Sequence, residues 1–140
     1  MIFSDDVLRA YELAKKVKQN AYAPYSKFHV GSALKLKETS QYFTGCNVEN
    51  ASFGGTVCAE RNAIASMVAS QGKSPLEFIV VVTDTDPAIG PCGLCLQILS
   101  EFVEDNFLIY MANEKSIQSV CHFSDWFNFI IILVPDCGSV

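Results

Sequence analysis

Apolar residues recur at helical spacing near the start of the chain. Val7, Leu8, Tyr11, Ala14 and Val17 follow Ser4-Asp5-Asp6, a cluster suited to capping a helix. The pattern predicts a first helix that ends at Ala23-Pro24. Residues about 28 to 37 and 42 to 48 predict two short strands, joined by the polar turn Glu38-Thr39-Ser40. Gly54-Gly55 then breaks the chain, and Ala59, Ala63, Ile64, Met67 and Val68 mark a second helix that ends near Gly72. Phe78 to Val82 is an unbroken apolar run, the pattern of a strand covered on both faces. Pro91 suits the first position of a third helix, where its missing N–H costs nothing, and Leu94, Ile98, Leu99 and Phe102 give that helix a buried face. Phe107 to Met111 predicts another short strand, residues 117–123 are compatible with a last one, and 124–140 carry no decisive pattern. The order α-β-β-α-β-α-β places helices on the faces of one sheet, an α/β sandwich.

A length of 140 residues fits one domain, 1–140. Half the residues are apolar or aromatic and 18% are charged, which excludes a disordered chain. Ten Lys and Arg stand against fifteen Asp and Glu, a net charge of −5, and no basic cluster offers a track for phosphates. A nucleic acid polymer is therefore not the expected partner. The acidic start Met1-Ile2-Phe3-Ser4-Asp5-Asp6 is unlike a signal peptide. The longest aliphatic stretch, Ile130 to Val134, is far short of the ~20 residues that a membrane helix needs. A cytoplasmic protein without membrane partners is the expectation. Under reducing conditions the six cysteines favour metal or catalytic roles over disulfides.

The strongest chemical signal is Pro91-Cys92-Gly93-Leu94-Cys95. Cysteines three apart in a first helical turn share a face, so both sulfurs reach one metal ion. A helix N-terminus also favours thiolate over thiol. Cys58, at the start of the second helix, is the obvious third ligand. Three protein ligands and one open position are the pattern of a catalytic zinc. Glu60, two residues on, converges on the same space and can take a proton from metal-activated water. Alone, the C-x-x-C pair reads equally as a redox dithiol or half of a structural site. The coincidence of both motifs at helix starts favours the catalytic reading.

Cys58-Ala59-Glu60 followed by Pro91-Cys92-Gly93-Leu94-Cys95 resembles the signature of the zinc nucleoside and nucleobase deaminases. Two further segments resemble those of the small homotetrameric cytidine deaminases: Tyr25-Ser26-Lys27-Phe28-His29-Val30-Gly31-Ser32-Ala33-Leu34, and Gly45-Cys46-Asn47-Val48-Glu49-Asn50-Ala51-Ser52-Phe53. Together they span about residues 8 to 111. The resemblance implies a three-layer α/β/α sandwich around a mixed five-stranded sheet. It further implies hydrolysis of cytidine and deoxycytidine to uridine and deoxyuridine in pyrimidine salvage, by zinc-activated water with a glutamate proton shuttle. Two readings stand beside it: a deaminase of a related base or nucleoside antibiotic, and a non-catalytic zinc or redox module.

Carried onto this chain, the resemblance makes Cys58, Cys92 and Cys95 the Zn²⁺ ligands and Glu60 the catalytic residue. Asn47 and Glu49 bind the ribose 3′-hydroxyl, and Phe28 packs on the pyrimidine. The Ala59 N–H meets the 2-oxo group, Ala51 belongs to the same substrate-binding set, and Phe53 borders a neighbouring subunit's site. Arg61 supports the ligand thiolates. His29 and His122 are not expected as ligands, Cys46 is expected as a small buried residue, and Cys121 and Cys137 as free thiols. Leu96 stands where the family commonly has arginine. A cation there would offset the charge of three thiolates, unless the position is packed in the core. The tail from Asp125 to Val140 lacks a clean version of the family's L-L-P-x-x-F ending.

Overall fold

The computed structural model describes residues 1–126. Helix α1 (Asp5–Lys18) leads into strands β1 (Gly31–Leu36) and β2 (Tyr42–Cys46); helix α2 (Ala59–Gln71), strand β3 (Leu76–Val82) and helix α3 (Gly93–Leu99) follow; β4 (Leu108–Ala112) and β5 (Ile117–His122) complete the set. Ser4 starts α1, its Oγ accepting from the Val7 N–H at 3.3 Å. Asp5 and Asp6 in the first turn and Lys15, Lys16 and Lys18 in the last match the helix dipole.

The strands form one sheet in the order β2-β1-β3-β4-β5. Only β3 and β4 run parallel; the other neighbours are antiparallel. The sheet is therefore mixed and five-stranded, as expected. β3 shows why its sequence is apolar throughout. Phe78, Val80 and Val82 pack with Val7, Ala10 and Ala14 of α1, while Ile79 and Val81 pack with Ile64 and Met67 of α2 and Leu96 and Leu99 of α3. Two cores on two faces make three layers. Two glycines permit the close approach of these layers. A Cβ on Gly31 would lie 2.1 Å from the Ala14 carbonyl oxygen, and one on Gly45 would lie 2.3 Å from that of Ala59.

The register decides where a site can form. Gly31 is opposite both Cys46 and Val82, and Val82 is opposite Ala112. The beginning of β1 and the ends of β2, β3 and β4 therefore meet at one end of the sheet, beside the starts of α2 and α3.

Several boundaries differ from expectation. α1 ends at Lys18, because the chain turns so that the Tyr22 N–H can donate to the Asn47 carbonyl at 3.0 Å. Lys18 is only 4% exposed, and its ammonium pairs with Asp84 and with Glu114. Residues 28–30 precede β1, since their N–H groups go to side chains. β2 stops at Cys46, and Val48 pairs instead with Val57. α3 begins at Gly93 after the N-cap Cys92, so Pro91 precedes the helix, and Phe102 falls in the turn after it. Residues 117–122 form the last strand, and 123–126 are helical. The expectations for Cys137 and for the C-terminal ending fall outside the described residues. Among the described residues no helix is long and apolar enough to cross a membrane.

Candidate metal centre and substrate cleft

Cys58 and Cys92 are the N-cap residues of α2 and α3, and neither uses its side chain to cap its own helix. Their sulfurs are 3.7 Å apart, and Cys92 Sγ is 3.7 Å from Cys95 Sγ one turn into α3. All three sulfurs lie within 4.8 Å of one another. Thiolates bound to one tetrahedral zinc at ~2.3 Å stand roughly 3.8 Å apart, so the donor set fits that ion. The neighbouring Cys95 thiol, together with Arg61, pulls the Cys58 thiol down to about 5, and Cys95 is driven upward in return.

Glu60 lies in the first turn of α2 and is 3% exposed. Burial pushes its carboxyl up to about 7, with the neighbouring Cys58 charge adding to the effect. Its Oε2 is buried and has no hydrogen-bond partner among the described residues. A buried, unpartnered carboxyl oxygen costs stability unless something else completes it. Arg61 turns back over the N-terminus of α2: Nη2 donates to the Thr56 carbonyl at 2.7 Å and lies 4.0 Å from Cys58 Sγ. Leu96 is completely buried in the core beneath α2 and α3, which removes the expectation that arginine would be accommodated there.

A cleft of about 280 Å³ joins this centre to Phe28, Asn47 and Glu49. The segment Tyr25–Val30 is one of its walls and has no ladder of its own. Its N–H groups are satisfied one by one. Tyr25 and Ser26 donate to Glu49 Oε2 at 2.9 and 3.2 Å, Lys27 to the Ala23 carbonyl at 3.1 Å and Phe28 to Ser26 Oγ at 3.0 Å. His29 donates to Asp84 Oδ2 and Val30 to Asn47 Oδ1, both at 2.8 Å. Asn47 Nδ2 also donates to the Phe28 carbonyl at 2.8 Å. The Ser26 hydroxyl donates to the other Glu49 oxygen, and this bond holds the Glu49 carboxyl below its usual range.

Not every expected residue reaches the cleft. Ala59 is buried as the first residue of α2, where an N–H has no intrahelical acceptor. Ala51 and Phe53 are exposed and do not line it. The Phe53 ring packs edge-on against Tyr25, centroids 5.8 Å apart, around an adjoining cavity of about 440 Å³ that shares Ser26, Glu49 and Thr56 with the cleft. His29 and His122 lie outside the sulfur cluster. Cys46 is half-buried rather than buried, and Cys121 is free. Sequence reasoning missed Thr56, Thr83, Ile89 and Gly90, which also line the cleft. Thr83 immediately follows a buried strand, where α/β sheets commonly place ligands, and Ile89 is an isolated apolar residue in a polar loop.

Comparison with known proteins agrees with this geometry. The chain is 41% identical over 110 residues to a cytidine deaminase of Sporosarcina psychrophila, covering 79% of each chain. It is 44% identical over 106 residues to a cytidine deaminase of Mycoplasma pneumoniae, covering 74% of this chain and 78% of the relative. The crystal structure of a cytidine deaminase from Burkholderia pseudomallei superposes with a TM-score of 0.79 at 37% identity, covering 88% of this chain and 95% of that one. With residues 5–111 matching the cytidine and deoxycytidylate deaminase zinc-binding region, the chain belongs to that deaminase family.

Proposed function

We propose that the protein is a zinc-dependent hydrolytic deaminase that converts cytidine and deoxycytidine to uridine and deoxyuridine, releasing ammonia. The observation that carries this reading is Glu60: a buried carboxyl with one unpartnered oxygen, raised to about 7, beside three converging thiols in a cleft. Cys58, Cys92 and Cys95 would hold zinc, which when bound supplies a Lewis acid that activates water at neutral pH. Glu60 takes one proton from the attacking water and delivers it to the pyrimidine N3, then takes the second from the new C4 hydroxyl and passes it to the amine as the C4–N bond breaks, so that water's two protons end on N3 and on ammonia. Arg61 shields the Cys58 charge.

The cleft supports the substrate assignments as well. Glu49 accepts three hydrogen bonds from the wall, and a carboxylate has about four acceptor positions, so one is left for a ribose hydroxyl. Asn47 likewise retains one N–H after its bond to Phe28. Phe28 offers an apolar surface to the base, and the Ala59 N–H, in the first turn of α2 where the helix itself supplies no acceptor, is assigned to its 2-oxo group. Ala51 and Phe53, outside the cleft, fit a role at the border with a neighbouring subunit of a homotetramer. Exposure of Phe53, Tyr22, Tyr25 and Leu94 supports such an assembly. One sheet through all the described strands supports treating 1–140 as one domain. The five free cysteines among the described residues suit a reducing compartment such as the cytosol.

Zinc analysis combined with ammonia release from cytidine tests the reading. One zinc per chain and turnover of cytidine and deoxycytidine, but not of an internal cytosine in single-stranded DNA, is the expected result. Zinc with turnover only of another aminopyrimidine would shift the substrate, and zinc with no turnover would leave a binding module.

A further inference from the structure

Asp84 is absent from the cleft lining, yet it holds the cleft's wall. It follows Thr83 at the end of β3, and Oδ2 accepts from both the His29 N–H at 2.8 Å and His29 Nδ1 at 3.0 Å. Its other oxygen pairs with the Lys18 ammonium, which is buried and is also held by Glu114 at 2.8 Å. Asp84 is therefore fixed from behind by α1. His29 sits between two other anchored points, the Phe28 carbonyl and the Val30 N–H, both gripped by Asn47. Upstream, Lys27 has a φ of 59°, a left-handed conformation that a lysine keeps only under constraint. The tether on His29 is thus a hold on this strained turn, and on the Phe28 beside it, that comes from a different element than Ser26 or Asn47.

We propose that Asp84 is a positioning residue for substrate binding: by clamping His29 to the buried Lys18 it sets Phe28 at the pyrimidine face of the cleft. The inference rests on the deaminase reading for the identity of the ligand. It predicts loss of binding rather than of chemistry, because Glu60 and the three thiols are carried by α2 and α3 and not by this wall.

The test compares Asp84→Asn and Asp84→Ala with the parent for cytidine turnover, zinc content and melting. Asn keeps the size of the side chain and leaves Lys18 its Glu114 partner, so it remains informative if Ala fails to fold. A rise in KM of about tenfold is expected, the value of one charged hydrogen bond, with kcat within about threefold and zinc unchanged. In a Phe28→Ala background the same substitution is expected to leave KM unchanged, because its route of action is gone. Unchanged KM in Asp84→Asn, or an equal rise with and without Phe28, would overturn the proposal. Amide hydrogen exchange at Phe28 and His29 is read on the same proteins. It should accelerate in Asp84→Asn while β1 stays protected, and unaltered exchange there also overturns the proposal. This arm needs no turnover, so it separates failure of the clamp from failure of the deaminase reading.

Discussion

Replacing Leu96 by arginine sets two effects against each other. A cation beside three thiolates would draw charge from sulfur, and such supporting contacts are worth ~10–100-fold, about 1.4–2.7 kcal/mol, in metal affinity or activity. Against this stands the position itself: Leu96 has no exposed surface and packs in the core with Ile64, Met67 and Leu99. A buried charge left without compensation costs ~3–5 kcal/mol. The cost of burial is the greater of the two and falls on the fold, so Leu96→Arg is expected to destabilise. At about 2–4 °C per kcal/mol for a domain near this size, the melting temperature should fall by roughly 10 °C. Leu96→Met, which nearly conserves volume, should cost less than ~1.5 kcal/mol and serves as the control. Thermal melting of the zinc-loaded proteins is the assay, run beside a pH–rate profile. If Leu96→Arg melts within about 2 °C of the parent, burial does not govern this position. If the profile also shifts to lower pH, charge compensation governs the site instead.

Glu60→Gln should keep zinc and lose turnover by ~10²–10⁴-fold, measured as ammonia release. The same substitution has a pH signature in the metal-free protein. Folding raises the Glu60 carboxyl from 4.5 to about 7, so its favourable contribution is complete below pH 4.5 and lost as pH rises through 7. At pH 8 metal-free Glu60→Gln should therefore be the more stable protein, by about 3 kcal/mol, with the gap shrinking as pH falls; denaturant titrations at several pH values check it. Cys92→Ala and Cys95→Ala should each lose zinc on dialysis, since two thiolates do not hold the ion tightly; full occupancy by metal analysis would remove that residue from the ligand set. Gly45→Ala should destabilise by at least ~1–3 kcal/mol, because the new methyl meets the Ala59 carbonyl and lifts α2 off β2; an unchanged melting temperature would contradict the packing.

Much of this was legible in the chain because the signals were periodic or punctuated. The alternation-free run Phe78–Val82 announced a strand with two covered faces, and the C-x-x-C pair announced converging sulfurs. What stayed hidden depends on partners distant in sequence. Nothing local to Leu96 tells whether a residue after Cys95 faces water or core. Phe28 reads as the first residue of a strand because its apolar pattern continues through Val30; it lies outside the strand because Ser26, Asp84 and Asn47 take the N–H groups a neighbouring strand would have used. Asp84, an acid after a strand in a polar loop, looks like solvent-facing punctuation until His29 and Lys18 are brought to it.

The side-chain closure of Tyr25–Val30 has a thermodynamic meaning for the ligand. Fixing one residue's backbone costs ~1–2 kcal/mol in conformational entropy, so ordering six residues upon binding would consume roughly 6–12 kcal/mol. A micromolar complex has only about 8 kcal/mol of binding free energy in all. A nucleoside, with few atoms to offer, could not order a floppy wall and still bind. Because Glu49, Asn47 and Asp84 have already immobilised it in the folded chain, contacts with a small ligand can appear as affinity instead of being spent on disorder.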